Sequence, residues 1–121
     1  DGRVRIVDYK TAGKYDFTNR AVAEGKKLQL PLYALAAQAA LGLGEIVDGY
    51  YWHVRQAERS SFTLAGFEGG VASAIETARH YAWEAIHGAR AGRFVPEPPA
   101  GGCPSYCPAA ACCWRYDPRS W

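Results

Sequence analysis

With 121 residues, of which 49% are hydrophobic and 21% charged, the chain suits a single globular domain with a modest core, and it excludes disordered, collagenous and fibrous classes. No apolar run reaches the roughly 18 residues of a membrane span and no signal-peptide pattern opens the chain, so a cytoplasmic location is expected. The net charge of +2 says little about partners; residues 1–27, with seven Lys or Arg against four Asp or Glu, are mildly basic, which suits phosphate contacts but is met more simply by a solvated face.

The pair Asp1-Gly2 is a turn signal leading directly into an alternating segment. A strand is expected over residues 3–9, with Val4, Ile6 and Asp8 on one face and Arg3, Arg5, Val7 and Tyr9 on the other. A strand led by such a turn normally pairs with an earlier one. Together with the absence of Met, this leads us to expect the C-terminal part of a larger domain. Residues 11–25 read as a loop. A helix is expected from about Lys27 to Leu41, ended by Gly42 or Gly44, with Leu28, Leu32, Leu35 and Ala39 as its buried stripe. Pro31 is tolerated only in a first turn, which sets the start near residues 28–30.

Residues 46–54 carry the β-branched and aromatic side chains of a strand. A short strand at Phe62-Thr63-Leu64 follows. A longer helix is then expected from about Glu68 to Ala91, striped by Val71, Ile75, Ala78, Ala82, Ile86 and Ala89. Pro96, Pro98, Pro99, Gly101 and Gly102 make a stiff linker into a cysteine-rich tail. There are no internal repeats, and the element order is that of an α/β fold.

Asp8-Tyr9-Lys10 falls at the end of the first strand. Side chains alternate along a strand, so the carboxylate and the ammonium share a face. A carboxylate there suits a hard cation such as Mg²⁺. A neighbouring lysine can orient the attacking water and offset charge on a phosphate. Alone, the triplet is met more simply by a structural or surface ion pair at a strand end. Gln29 and Tyr33 are four apart and lie one above the other on the next helix, away from the expected Leu stripe. Alone, they fit a surface amide and a half-buried ring.

Taken together, Ile6-Val7-Asp8-Tyr9-Lys10-Thr11 and Gln29-Leu30-Pro31-Leu32-Tyr33-Ala34 resemble the RecB-like branch of the PD-(D/E)XK nuclease superfamily. The resemblance implies a restriction-endonuclease-like α/β core that cuts DNA with Mg²⁺ or Mn²⁺. It implies metal binding by Asp8, catalysis by Lys10, and support of the site and strand by Gln29 and Tyr33. Two departures stand out. Ala12 precedes Gly13 where the family has Gly directly after Thr, and the family's other metal-binding Asp, on the preceding strand, is not in this chain. The isolated chain is therefore expected to cut DNA poorly.

All four cysteines, Cys103, Cys107, Cys112 and Cys113, fall within eleven residues. Disulfides are disfavoured in a cytoplasmic protein. The spacing alone leaves zinc and an iron–sulfur cluster open, with unligated thiols a third reading. The run from Gly92-Arg93-Phe94-Val95-Pro96 through Cys103-Pro104-Ser105-Tyr106-Cys107-Pro108 to Cys113-Trp114 looks like the iron–sulfur staple of AddB-type nucleases. That resemblance implies a 4Fe-4S cluster held by Cys103, Cys107, Cys113 and an upstream cysteine, with Cys112 outside the ligand set. Residues 1–95 would be a partial nuclease core and 96–121 the cysteine tail.

His53, His80 and His87 are scattered and read as core or surface residues. Tyr50-Tyr51-Trp52 fits core packing better than base stacking. No phosphate-binding glycine loop is present, so an ATP-driven motor would be a separate helicase domain or subunit. The expected function is a nuclease of DNA repair or recombination, within a helicase–nuclease. The alternatives are an inactive, cluster-stapled DNA-binding module and a zinc-stapled DNA-binding domain; visible absorbance of anaerobically purified protein separates cluster from zinc.

Overall fold

The computed structural model describes residues 2–11 and 17–118. The expected Asp1-Gly2 turn and the Ala12-Gly13 departure fall wholly or partly outside them. By internal packing the chain divides into two compact units, Asp1–Ala85 and Ile86–Trp121.

The first unit is built on a three-stranded sheet in the order β1-β2-β3. Strand β1 (Arg3–Lys10) pairs in parallel with β2 (Glu45–His53), and β2 pairs antiparallel with β3 (Glu58–Thr63). Parallel pairing requires a crossover. Here α1 (Asn19–Ala23), α2 (Gln29–Leu35) and a π-helical turn (Ala36–Ala40) lie between β1 and β2, and α3 (Gly70–Arg90) follows β3. The observed class is therefore a mixed α/β fold, compatible with a PD-(D/E)XK-like core. Among the described residues no helix is long and apolar enough to cross a membrane.

One face of the sheet is covered. Val4 and Ile6 pack from β1 against a core that includes Ile46, Tyr51, Phe62 and Leu64 from the strands and their ends. Val22, Leu30, Ala34, Ala74 and Ile75 close it from the three helices. The inward set of β2 is Ile46, Gly49, Tyr51 and His53, which breaks the period of two. The cause is a bulge. Val4 pairs with Ile46 but Arg5 with Asp48, so Val47 is an extra residue on β2. Asp48 pins the irregularity, its Oδ1 accepting from the N–H groups of Gly49 (2.8 Å) and Ala65 (3.0 Å). Gly49 lies where a Cβ would come within 2.8 Å of the Leu64 Cδ1, so a larger residue there would press on Leu64, just past β3, as it closes over the sheet.

Several expectations shift. The loop expected over 11–25 contains α1, started by Thr18, whose Oγ1 accepts from the Ala21 N–H at 3.1 Å, and anchored by buried Val22. In α2 the buried residues are Leu30, Pro31 and Ala34, followed by Ala37 of the π-helical turn; Leu28, Leu32 and Leu35 are half-buried and Ala39 is exposed. The segment is apolar almost all round, so contact with Tyr51 and the sheet, and not pattern, selects the inward face. Pro31 does occupy the first turn. Strand β3 begins four residues before the expected Phe62, because the polar run Glu58-Arg59-Ser60-Ser61 completes a hairpin with β2. In α3 the stripe holds only in its first half. Ala74, Ile75 and Ala78 are buried, Val71 and Ala82 half-buried, and Ile86 and Ala89 exposed.

In the second unit the end of α3 leads into irregular chain held by turns. Cys103 is buried and bridges to Pro118. The Arg115 guanidinium donates to the Pro96 carbonyl at 3.2 Å, joining the linker to the tail.

Candidate active site

Asp8 and Lys10 leave β1 on the covered face, the same face as Val4 and Ile6. Their partners across the parallel pairing are Tyr51 and His53, respectively. The site thus sits at the carboxyl ends of two parallel strands, where crevices in open α/β sheets take ligands.

Lys10 organises it. Its ammonium lies 2.9 Å from Asp8 Oδ2, donates to Gln29 Oε1 at 2.6 Å, and stands 5.2 Å from the centroid of the Tyr51 ring. The Asp8 contact is a charge pairing without an aligned hydrogen bond. Oδ2 is otherwise a buried acceptor with no hydrogen-bond donor among the described residues. Gln29 in turn donates from Nε2 to the Tyr33 hydroxyl at 2.7 Å.

The direction of this chain follows from what each group can do. A lysine ammonium only donates, so the Gln29 oxygen must face it and the Gln29 NH₂ must face Tyr33. Tyr33 then accepts, and its own hydroxyl proton is left to donate outward. Its side chain is about half exposed, so that proton is available to a ligand. The expected D-x-K pair and the expected Gln–Tyr pair are thus brought into one row, joined by an ion pair and two hydrogen bonds.

Tyr51 ties the row to the core, a part that sequence reasoning missed. Its ring is fully buried and stacks on Phe17 with centroids 3.8 Å apart. Its hydroxyl accepts from the Leu30 N–H at 3.3 Å. Leu28, the N-cap of α2, offers no side-chain cap, so Tyr51 satisfies one of the helix's orphan donors from another strand. Burial pushes the Tyr51 hydroxyl up to about 12; the backbone N–H of Leu30 opposes that rise, and the charges of Asp8 and Tyr33 add to it. The hydroxyl stays protonated at any working pH. The aromatic run 50–52 hinted at a core strand, but only the pairing of Asp8 with Tyr51 shows which ring underlies the site. His53, also buried, has an Nδ1 without a hydrogen-bond partner among the described residues.

Asp8 fits a divalent cation as one oxygen ligand. It is mostly shielded from water, and beyond the Lys10 ammonium its Oδ2 has no donor among the described residues. Mg²⁺ is commonly held by one or two carboxylates, with water and substrate phosphate completing the shell. Among the described residues, however, no three His, Cys, Asp or Glu side chains group closely enough to hold a metal together. The same finding bears on the tail. Cys103, Cys107, Cys112 and Cys113 are free thiols; Cys103 is buried, Cys107 and Cys113 half-buried, and Cys112 exposed with its Sγ 3.6 Å from the Ala109 carbonyl. The expected set Cys103, Cys107 and Cys113 is not gathered, so these residues as arranged do not fit a cluster that needs four converging thiolates.

Fold and row together define an α/β domain with a polar, charge-paired site at the ends of parallel strands. The chain belongs to the PD-(D/E)XK nuclease superfamily, whose family model matches residues 1–114. Among curated proteins and solved structures, none matches the chain.

Proposed function

We propose that this site hydrolyses phosphodiester bonds in DNA with the aid of a divalent cation, Mg²⁺ or Mn²⁺. The observation that carries the reading is the continuous row Asp8–Lys10–Gln29–Tyr33, which sets one carboxylate, one ammonium and one outward hydroxyl side by side. When bound, the cation would polarise the phosphate and lower the pKa of water. Asp8 would hold it. Lys10, fixed on two sides, places positive charge where the pentavalent phosphate gains negative charge, and orients the incoming water. Gln29 holds Lys10 in that position. Tyr33 donates its free proton to a phosphate oxygen of the strand.

The RecB-like, AddB-type resemblance supports a finer proposal: a role in DNA repair or recombination, beside a helicase domain or subunit. A 4Fe-4S staple through Cys103, Cys107 and Cys113 rests on that resemblance alone, since the cysteine spacing admits zinc equally well.

The test is a nuclease assay of the full-length protein with Mg²⁺, comparing wild type with Lys10→Ala. A loss of at least about 100-fold is expected, the usual scale for a positioned proton-transfer or charge-stabilising group. Equal cutting by both would remove Lys10 from the chemistry. DNA binding without cutting by wild type would favour the inactive module.

A further inference from the structure

Beside the row lies a cavity of about 340 Å³, lined by Tyr9, Lys10, Phe17, Lys27, Gln29 and Tyr51 among others. That is within the range of small-ligand sites. Charge is not what its wall offers. The Lys10 ammonium is engaged by Asp8 and Gln29, and the Lys27 ammonium stands over the Phe17 ring, 5.8 Å from its centroid. What the wall offers is aromatic surface, from the stacked Phe17 and Tyr51 rings and from Tyr9.

Tyr9 differs from the other rings of the sheet. Tyr51 and Phe62 are buried, Tyr50 and Trp52 are half-buried, and the Arg59 guanidinium stands over Tyr50, 6.0 Å from its centroid. Tyr9 is 68% exposed, and among the described residues its side chain makes no hydrogen bond, ion pair or ring contact. A lone tyrosine on a strand surface needs no explanation, since aromatic residues favour strands and single exposed rings are common. The position of this one does. Tyr9 is the penultimate residue of β1, between Asp8 and Lys10, and leaves the strand on the face opposite both. It nevertheless lines the same cavity as Lys10, so its ring stands at the end of the strand and not out on the open sheet.

We infer that Tyr9 stacks on the base of the nucleotide whose phosphate meets Lys10 and Tyr33, and that the site therefore takes unpaired DNA. The inference rests on reading the row as a DNA-cutting site; it adds to that reading a residue outside the row and the form of the substrate. Every base has a π-face, so a tyrosine holds any base by stacking without reading sequence. In a duplex both faces of a base are covered by its neighbours, and the base must leave the stack before a ring can reach it. A single strand or a frayed end meets that demand at the least cost.

The experiment uses the full-length protein and two strands of equal length, an oligothymidylate and a base-free chain of abasic sugar phosphates. Cutting is followed with Mg²⁺, and binding by fluorescence anisotropy with Ca²⁺. Removing a stacked ring weakens binding about 5- to 150-fold per base. Tyr9→Val, which suits a strand, should lose at least about fivefold on oligothymidylate and nothing on the base-free chain, with its melting temperature kept. Tyr9→Phe should match wild type on both, because the ring and not the hydroxyl carries the contact. Tyr9→Trp should bind at least as well, and its added indole emission should be quenched by oligothymidylate and not by the base-free chain. In cutting assays of Tyr9→Val, KM should rise by more than kcat falls. Wild type should cut oligothymidylate faster than the same strand in a duplex. If wild type binds and cuts DNA while Tyr9→Val keeps full affinity, or loses it for both chains alike, the stacking role is refuted and the nuclease reading stands. An unquenched indole in DNA-bound Tyr9→Trp refutes it equally, and faster cutting of the duplex refutes the unpaired substrate. If wild type neither binds nor cuts DNA, the nuclease reading fails and takes the stacking role with it.

Discussion

Removing one oxygen atom from Tyr51 tests how the core supports the site. In Tyr51→Phe the ring, its stacking on Phe17 and its buried volume all remain. What goes is the acceptor of the Leu30 N–H, at a fully buried residue near the start of a helix with no side-chain cap. A buried donor left without a partner costs about 1–3 kcal/mol; at 3.3 Å this bond is long, so the lower end, about 1 kcal/mol, applies. For a unit of this size about 1 kcal/mol lowers Tm by roughly 4–8 °C. Thermal and urea unfolding followed by circular dichroism measure both quantities. The first turn of α2 also carries Gln29, so Tyr51→Phe and Gln29→Ala should be non-additive in a double-mutant cycle of activity, by at least about 0.5 kcal/mol. A Tyr51→Phe protein that melts at or above wild type would refute the capping role, and strict additivity would detach it from the site.

Two further outcomes concern stability. The Tyr51 hydroxyl is raised in the folded state from an unfolded value near 10 to about 12, so the protonated form is favoured by folding. The contribution, about 3 kcal/mol, is fully present below pH 10 and is lost as pH rises through 12. Denaturant midpoints should fall over that window in wild type and much less in Tyr51→Phe; parallel curves would contradict it. Gly49→Ala would press a methyl group onto Leu64 and the Ile6 carbonyl, and an overpacking cost of about 1–3 kcal/mol is expected by urea unfolding; an unchanged midpoint would show that Leu64 moves aside freely.

The parts of the site that could be read from sequence are those with local periodicity. Asp8 and Lys10 share a face because a strand alternates, and Gln29 and Tyr33 align because a helix repeats near four. Their meeting in one row, 2.6 Å from Lys10 to Gln29, depends on how α2 sits on the sheet, and no local pattern fixes that. The buried face of α2 was hidden for a related reason: Leu28 through Ala40 is apolar on nearly every side, so the stripe is chosen by the surface it meets. Helix α1 is short and surrounded by turn-forming residues, and only the Thr18 cap and Val22 mark it. Tyr51 acts through a contact distant in sequence, on Leu30. The cysteines show the converse. Their spacing admits a ligand set, yet among the described residues no three of them gather as metal ligands.

The bulge at Val47 has a consequence for which rings the site receives. Were the pairing to run on unbroken from Val4 and Ile46, Asp8 would stand opposite Tyr50 and Lys10 opposite Trp52. The added residue advances the nine-residue strand by half a pleat, so Ile46 stays inside while Tyr51 and His53 come in with it. One inserted amino acid thus works as a phase shifter. It sorts three consecutive aromatic residues to opposite sides of the sheet and sends inward the one whose oxygen can accept the helix's unpaired N–H.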